Sequence, residues 1–176
     1  MQKLSMDQLN RVDIDSFKEL EKTPITIVLD NVRSMHNVGS AFRTADGFAI
    51  EHIILCGITA TPPHREIEKT ALGATQSVEW SHYKETREAI AHLKNQGYKI
   101  LAIEQAAGSI SLEKFDVQPK EKYALVFGNE VHGVDEDVME IVDGCIEIPQ
   151  FGTKHSFNVS VTIGIILWDI LKKIKF

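Results

Sequence analysis

Hydrophobic residues occur along this chain in two alternating patterns. Short unbroken hydrophobic runs are typical of strands covered on both faces, and segments with a hydrophobic residue every three or four positions are typical of amphipathic helices. The runs predict strands at 25–30, 52–57, 98–104, 123–127 and 145–148. The spaced segments predict helices at 38–48, 84–96, 135–143 and 159–173. This alternation indicates an α/β domain with a mainly parallel sheet flanked by helices.

The first 24 residues form a predicted N-terminal extension to that domain. Two capping-box patterns, Ser5 with Gln8 and Ser16 with Glu19, predict short helices in it. The main domain is predicted over residues 25–176, with the proline-containing stretch 61–63 as a loop inside it.

Composition and charge narrow the class of protein. A chain of 176 residues with 43% hydrophobic and 25% charged residues suits one soluble globular domain. The net charge of −6 argues against indiscriminate binding to nucleic acid or membranes, but it leaves room for a local basic patch. Cys56 and Cys145 stand far apart, which indicates neither a zinc site nor a disulfide framework. With no signal-peptide pattern and no apolar run of about 18 residues, we expect a cytoplasmic protein that does not span a membrane.

Glycine and small polar residues follow four of the predicted strands, in segments that begin at residues 31, 105, 128 and 149. In parallel α/β sheets the ligand binds beyond the carboxyl ends of the strands, so these segments are predicted to meet in one site. The sequence lacks the GxGxxG, GxxxxGK[ST], HExxH and GxSxG motifs. Dinucleotide, P-loop, zinc-protease and serine-hydrolase interpretations are therefore disfavoured.

Several polar residues of these segments have an ordinary structural interpretation beside a functional one. Asn37 suits the N-cap of the helix that begins near residue 38, and Ser156 or Asn158 suits the N-cap of the last helix. Arg43 and Glu130, taken alone, suit a solvated surface. One capping residue is enough for a helix, however, and the segment before the last helix offers five polar side chains: Thr153, Lys154, His155, Ser156 and Asn158.

Three segments, at 37–46, 128–133 and 148–160, read N-x-G-x-x-x-R-T-A-D, G-N-E-x-x-G and I-P-x-x-G-x-x-x-S-F-N-V-S. In order and spacing they resemble the motifs of the SpoU/TrmH branch of the SPOUT RNA methyltransferases. The resemblance implies an α/β sheet with a deep C-terminal trefoil knot, which hydrophobic periodicity alone does not indicate. It also implies a homodimer that transfers a methyl group from S-adenosylmethionine to a ribose 2′-hydroxyl of RNA, without a metal.

The resemblance also assigns roles to single residues. The implied catalytic centre consists of Asn37, Arg43, Glu130, Ser156 and Asn158, and the implied adenosine pocket of Glu104, Gly128, Ile148 and Phe157. A guanidinium is too basic to serve well as a general base, so we expect Arg43 to hold a phosphate or the 2′-oxygen in place. Gly128 and Gly133 are expected where a side chain does not fit or φ is positive. Lys154 and His155 suit RNA phosphate contacts or a solvated surface equally.

The predicted C-terminal helix is hydrophobic on nearly all sides. A small domain covers only one face of such a helix, so either the N-terminal helices fold back over the rest or a second subunit covers it. From the resemblance we expect a C2 homodimer with shared active sites, in which Arg43 of one subunit faces Ser156 and Asn158 of the other.

Three functional alternatives remain at this level. The first is the methyltransferase, with tRNA the expected substrate, because compact family members without an added domain often act on it, and rRNA the second choice. The second is a non-catalytic RNA-binding or assembly protein of the same fold. The third is another small α/β nucleotide-binding enzyme, if the resemblance is accidental. A binding module has no need of all five catalytic-centre residues, so their joint presence favours the enzyme.

Overall fold

The structure is a computed structural model that describes residues 1–5, 7–9 and 11–176. Within these residues the strands form one sheet of seven, in the order β3-β2-β1-β6-β4-β7-β5, and every paired strand runs parallel to its neighbour. The strands are β1 Thr23–Asp30, β2 Ile50–Cys56, β3 Trp80–Tyr83, β4 Tyr98–Ile103, β5 Ile110–Ser111, β6 Lys122–Phe127 and β7 Gly144–Glu147. The predicted α/β class with a parallel sheet is confirmed.

Helices cover both faces of this sheet. They are α1 Ile14–Glu19, α2 Met35–Gly47, α3 Arg65–Ala71, α4 Ala74–Ser77, α5 Thr86–Asn95, α6 Glu136–Met139 and α7 Val159–Lys175, with single 3-10 turns at Asp7–Leu9 and Leu112–Lys114. Helices α2, α3 and α7 pack on one face, and α5 and α6 on the other.

The central strand β1 shows why the chain forms this three-layer structure. Side chains of a strand alternate between the two faces of the sheet, so a strand with helices on both sides must be hydrophobic throughout. Ile25, Ile27 and Leu29 enter the core under α2 and α7, while Val28 enters the core under α5 and α6. The run at 25–29, in which the β-branched Thr26 is the one polar residue, therefore reflects burial on both faces.

The predicted elements agree with the structure in type, with corrections at their ends. Helix α6 is shorter than the predicted segment 135–143, and α3, α4, β3 and β5 were missed. The Ser16–Glu19 capping box is wrong, because the N-cap of α1 is Asp13, whose Oδ1 accepts a hydrogen bond from the Ser16 N–H at 2.8 Å. In the other predicted capping box, that of Ser5 and Gln8, the Ser5 N–H donates a hydrogen bond to Gln8 Oε1 at 2.9 Å.

Helix α7 presents one hydrophobic face to solvent. Its inner face is buried in the core, but Val161 is 50% exposed and Trp168 is 54% exposed. Helix α1 lies against α4 and buries Phe17 there. The N-terminal helices therefore leave the outer face of α7 uncovered, contrary to one of the two expectations. The C-terminal trefoil knot stays a prediction.

Acidic side chains are concentrated in the segment 135–143, which includes α6. It contains five Asp or Glu residues and no Lys or Arg, so its own charge is close to the net charge of −6 of the whole chain.

Among the residues described, no helix combines the length and the apolar character needed to cross a bilayer.

Candidate functional site

A cavity of about 520 Å³ opens at the carboxyl ends of β4, β6 and β7. Its walls come from residues 103–105, 127–133, 146–148 and 155–159, with Gln150 and Thr162. Three of the four polar segments predicted to meet do line this cavity. The fourth, which follows β1, joins it through hydrogen bonds to the segment 128–133.

Two glycines allow that segment to fold tightly beside the cavity. A Cβ on Gly128 would lie 2.0 Å from the carbonyl carbon of Gly133, so no side chain fits there. Gly133 has a φ of +71°, and a Cβ on it would lie 2.1 Å from Glu104 Oε2. Asn129 and Gly133 close the turn by exchanging backbone hydrogen bonds of 2.8 and 2.9 Å. The requirement for glycine at both positions, predicted from the sequence, is confirmed.

Glu130 lies on this turn and joins it to the start of α2. Its Oε2 accepts a hydrogen bond from the Arg33 N–H at 2.9 Å. Its Oε1 accepts from the Ser34 N–H at 3.0 Å and from Asn37 Nδ2 at 2.9 Å. Burial by itself would raise the pKa of Glu130, but these donors outweigh it and hold the pKa below the ordinary value. The carboxylate is thus an acceptor that fixes two loops against each other.

Asn37 connects Glu130 to the beginning of α7. Asn37 Oδ1 accepts a hydrogen bond from Asn158 Nδ2 at 3.1 Å, and Asn37 itself is buried. The expectation that Asn37 caps its helix is wrong, because Ser34 is the N-cap and its Oγ accepts from the Asn37 N–H at 3.3 Å. Asn37 lies in the first turn, which leaves both ends of its amide free to join the other two motifs.

Asn158 fulfils two functions at once. It is the N-cap of α7, where its Oδ1 accepts from the N–H groups of Ser160 and Val161 at 2.9 and 3.4 Å. Its Nδ2 donates to Asn37. Because Asn158 alone caps the helix, the polar residues before it are not needed for capping, as the sequence had indicated. Ser156 is one of them, and it is exposed in the cavity wall.

The four residues expected to form the adenosine pocket, Glu104, Gly128, Ile148 and Phe157, all line the cavity. Glu104 also fixes neighbouring loops, since its Oε1 accepts from the Gln105 N–H at 2.8 Å and its Oε2 from the Val134 N–H at 3.2 Å. Ile148 and Phe157 add apolar surface, and Phe157 remains 43% exposed.

Arg43 is the one expected site residue that lies away from the others in a single chain. It is exposed on α2 and does not line the cavity. Six residues separate it from Asn37, which places it about 9 Å farther along the helix and about 240° around its axis. One chain therefore brings together Asn37, Glu130, Ser156 and Asn158, but not Arg43.

Two further residues that shape the cavity were missed from the sequence. Gln105 Nε2 donates to the carbonyl oxygen of His155 at 2.6 Å and so ties the segment before α7 to the loop after β4. Asn129 Oδ1 accepts from the N–H groups of Val131 and His132 at 2.9 and 3.3 Å and rigidifies the turn. Their position in polar segments after strands was the available signal, and Asn129 also belongs to the G-N-E-x-x-G motif, but neither signal assigns these residues a contact.

Among residues 1–5, 7–9 and 11–176, no group of three or more His, Cys, Asp or Glu side chains is arranged to hold a metal ion. The site thus consists of a cavity at the strand ends with a hydrogen-bonded set of polar side chains beside it. In parallel α/β proteins, a cavity at the carboxyl ends of the strands is the usual place for a small-molecule ligand. The chain belongs to the SpoU rRNA Methylase family, whose model matches residues 24–168.

Known proteins of this kind include enzymes for two classes of RNA. The chain is 29% identical over 166 residues to the 23S rRNA (guanosine-2′-O-)-methyltransferase RlmB of Vibrio vulnificus, covering 94% of this chain and 66% of that protein. The crystal structure of the TrmH/SpoU tRNA modifying enzyme of A. aeolicus matches with a TM-score of 0.80 and 26% identity, over 91% of this chain and 80% of that one.

A third similar protein carries a bound cofactor. The AdoMet-bound rRNA methyltransferase from Sinorhizobium meliloti matches with a TM-score of 0.78 and 26% identity, over 89% of this chain and 59% of that one. The chain spans just under two thirds of the Vibrio relative's length. These comparisons confirm the family and the fold inferred from the three motifs.

Proposed function

We propose that this protein is an S-adenosylmethionine-dependent RNA methyltransferase that acts on a ribose 2′-hydroxyl. The observation that carries the proposal is the hydrogen-bonded series Glu130–Asn37–Asn158 beside the cavity. It joins one residue from each of the three motifs, although these are 93 and 121 residues apart in sequence. The names of the similar RNA 2′-O-methyltransferases support the same reaction.

The cavity suits S-adenosylmethionine in size, surface and charge. Its volume of about 520 Å³ lies within the range of small-molecule sites. Apolar walls, including Ile103, Phe127 and Ile148, suit an adenine ring, and three carboxylates, from Glu104, Glu130 and Glu147, suit a ligand with cationic groups. When bound, this cofactor supplies a methyl group on a sulfonium, a built-in leaving group.

The protein's own contribution is to bind and orient the reactants. Glu130 already accepts three hydrogen bonds and has a lowered pKa, so it positions Asn37 and does not collect the proton of the ribose hydroxyl. Ser156 and Asn158 are the polar groups at the cavity wall that can reach the reacting ribose. Alignment of the reacting atoms accounts for a large share of the rate in such a reaction.

We further propose that two subunits share each active site. The exposed hydrophobic face of α7, with Val161 and Trp168, supports a second copy as its cover. The position of Arg43 outside its own chain's cavity supports the partner's Arg43 as the residue that contacts phosphate or the 2′-oxygen. We also propose a C-terminal trefoil knot, which the family resemblance implies. A cytoplasmic location is proposed from the sequence features described above.

For the RNA we propose tRNA first and rRNA second. Enzymes for both classes are among the similar proteins, and the tRNA enzyme of A. aeolicus is covered over a larger share of its length than the rRNA enzymes reported above.

The test compares 2′-O-methylated nucleosides, mapped by mass spectrometry, in tRNA and rRNA from cells with and without the protein. We expect one nucleoside to lose its methyl group, and purified protein with S-adenosylmethionine to restore it in vitro. If only an rRNA nucleoside loses its methyl group, the substrate is rRNA and not tRNA. Binding of RNA without methyl transfer to any RNA would favour the non-catalytic binding protein.

A further inference from the structure

Asn31 joins three parts of the molecule at the carboxyl end of β1. It follows the last residue of the strand and has a φ of +53°, a left-handed conformation that few residues other than glycine and asparagine adopt readily. Its Nδ2 donates to Asp30 Oδ1 at 3.1 Å and to Asp135 Oδ2 at 2.9 Å. Its Oδ1 accepts from the Ile58 N–H at 3.1 Å.

The anchor of this cluster is Asp30, whose carboxylate is fully buried. Its oxygens accept hydrogen bonds from the Thr86 hydroxyl and from the Asp135 N–H, in addition to Asn31 Nδ2. Asn31 is a neutral amide that faces the carboxylates of Asp30 and Asp135 and donates a hydrogen bond to each of them. An aspartate of the same shape would place a third carboxylate against these two.

The backbone of Asn31 connects the cluster to the reaction centre. Its carbonyl oxygen accepts a hydrogen bond from Asn129 Nδ2 at 2.7 Å. Asn129 shapes the turn that carries Glu130, and Glu130 holds Arg33, Ser34 and Asn37. A continuous series of hydrogen bonds therefore leads from a buried carboxylate to the Asn37–Asn158 contact.

We infer that Asn31 is a positioning residue for methyl transfer, acting through Asn129 and Glu130 on the Asn37–Asn158 contact. This inference rests on the proposed function. Asn31 does not line the cofactor cavity, so it acts on the placement of the catalytic groups and not on cofactor binding. Loss of its side chain removes the three hydrogen bonds that fix the Asn31 backbone carbonyl, and small misplacements of catalytic groups lower the rate strongly.

The test uses Asn31→Gly, because glycine tolerates the left-handed backbone and removes only the side chain. We expect kcat for methyl transfer to fall by about 10-fold to 100-fold, while KM for S-adenosylmethionine changes by less than about 3-fold. Asn31→Asp should lose more, because its carboxylate opposes Asp30 and Asp135. Ile90→Ala, a buried change in α5, is the control for lost stability and should keep kcat when assayed well below its Tm.

A second measurement does not depend on activity. In Asn31→Gly, amide hydrogen exchange should accelerate at Arg33 and Ser34, whose N–H groups bond to Glu130, and it should not do so in Ile90→Ala. If the wild-type protein methylates no RNA, the proposed function fails, and the exchange rates still decide whether Asn31 positions the turn.

A double-mutant cycle tests whether the effect passes through Glu130. In a Glu130→Ala background, Asn31→Gly should lower kcat by less than about 3-fold, whereas independent effects would multiply. The inference is overturned if Asn31→Gly matches Ile90→Ala in both kcat and amide exchange. It is also overturned if the losses from Asn31→Gly and Glu130→Ala multiply.

Discussion

Glu130 shows how one carboxylate can hold two loops of a site together. Its three hydrogen-bond donors come from the loop after β1 and the first turn of α2, which are 93 to 97 residues away in sequence. Ionised oxygens are stronger acceptors than neutral ones, so the ionised form fixes these loops best. The protonation state of this carboxyl group therefore links the stability of the fold to the geometry of the site.

The lowered pKa of Glu130 leads to a prediction about stability and pH. A carboxyl group whose pKa is lower in the folded state contributes stability above its unfolded-state pKa, and that contribution is lost as pH falls through the folded-state pKa. Glu130→Gln should therefore lower the urea midpoint at pH 7, and its difference from wild type should shrink as pH falls below 4.5, the ordinary pKa. Glu88→Gln, at an exposed position of α5, is the control, and a difference for Glu130→Gln that is independent of pH would contradict the prediction.

Arg43 is predicted to act on the reaction and not on cofactor binding. Arg43→Ala should lower methyl transfer by at least about 100-fold, the lower range for loss of a major transition-state contact. Its affinity for S-adenosylmethionine, measured by calorimetry, should stay close to wild type, because Arg43 lies outside the cavity of its own chain. Arg87→Ala, which removes another exposed arginine, should leave both quantities unchanged. Weakened cofactor binding with full turnover would reverse the assignment.

Among the elements, α7 combines a role in the site with a role on the surface. Its first residues are capped by Asn158 beside the cavity, and its outer face exposes Val161 and Trp168. If this face forms the contact between two subunits, a charged side chain introduced on it should weaken the dimer. Helix α7 would then couple assembly to activity, because the same helix begins in the site.

Trp168→Glu is predicted to weaken the dimer and abolish shared-site activity. An interface residue of this size contributes enough that the dimer dissociation constant should rise by about 30-fold or more. Sedimentation velocity measures the change, and circular dichroism verifies that the helices remain. Leu20→Glu, an exposed hydrophobic position on the N-terminal segment, is the control and should sediment as wild type. An active monomer would show that the sites are not shared.

The elements also show which parts of the fold the sequence could predict. Strands β1, β4 and β6 were predicted because burial on both faces favours predominantly hydrophobic runs. Strand β3 was missed because it lies at the sheet edge, where none of the residues Trp80–Tyr83 is fully buried and no such run forms. Helices α3 and α4 are 7 and 4 residues long, too short for a clear helical period.

Prediction of the site had a similar limit. Asn37, Glu130 and Asn158 were found because they belong to motifs with a known order. Asn31 was given no role, and neither was Asn129 although it belongs to the same motif as Glu130, because a hydrogen bond between residues 98 positions apart leaves no periodic trace in the sequence. The error about Asn37 has the same origin, since its amide bonds to distant residues and a serine three positions earlier caps the helix.

For the whole molecule, shared sites predict complementation between two inactive variants. Arg43→Ala and Asn158→Ala should each be inactive alone, but a heterodimer of the two keeps one site with both wild-type residues. Random subunit exchange makes half of the dimers mixed, so activity should recover to about a quarter of wild type. Mass-tagged subunits verify the exchange. An inactive mixture with verified exchange would rule out the shared site.

Metal removal tests the chemistry of the complete protein. Methyl transfer and S-adenosylmethionine binding should both be unchanged by a chelator, because the reaction proposed here relies on the sulfonium as leaving group. The measurement is methyl transfer before and after treatment with EDTA, followed by addition of zinc or magnesium. Activity that vanishes with EDTA and returns with either metal would contradict this expectation.

The five carboxylates at 135–143 have a consequence for the way the proposed RNA substrate would approach. RNA is a polyanion, so this acidic segment repels it before any contact forms, although Asp137 and Asp143 form ion pairs with Arg87 and Lys94. Within the screening length of about 10 Å at 0.1 M salt, this repulsion disfavours collisions in which the segment faces the incoming strand. An acidic protein can thus select the orientation of its collisions with RNA, because the distribution of its charge, and not the sum, directs the approach.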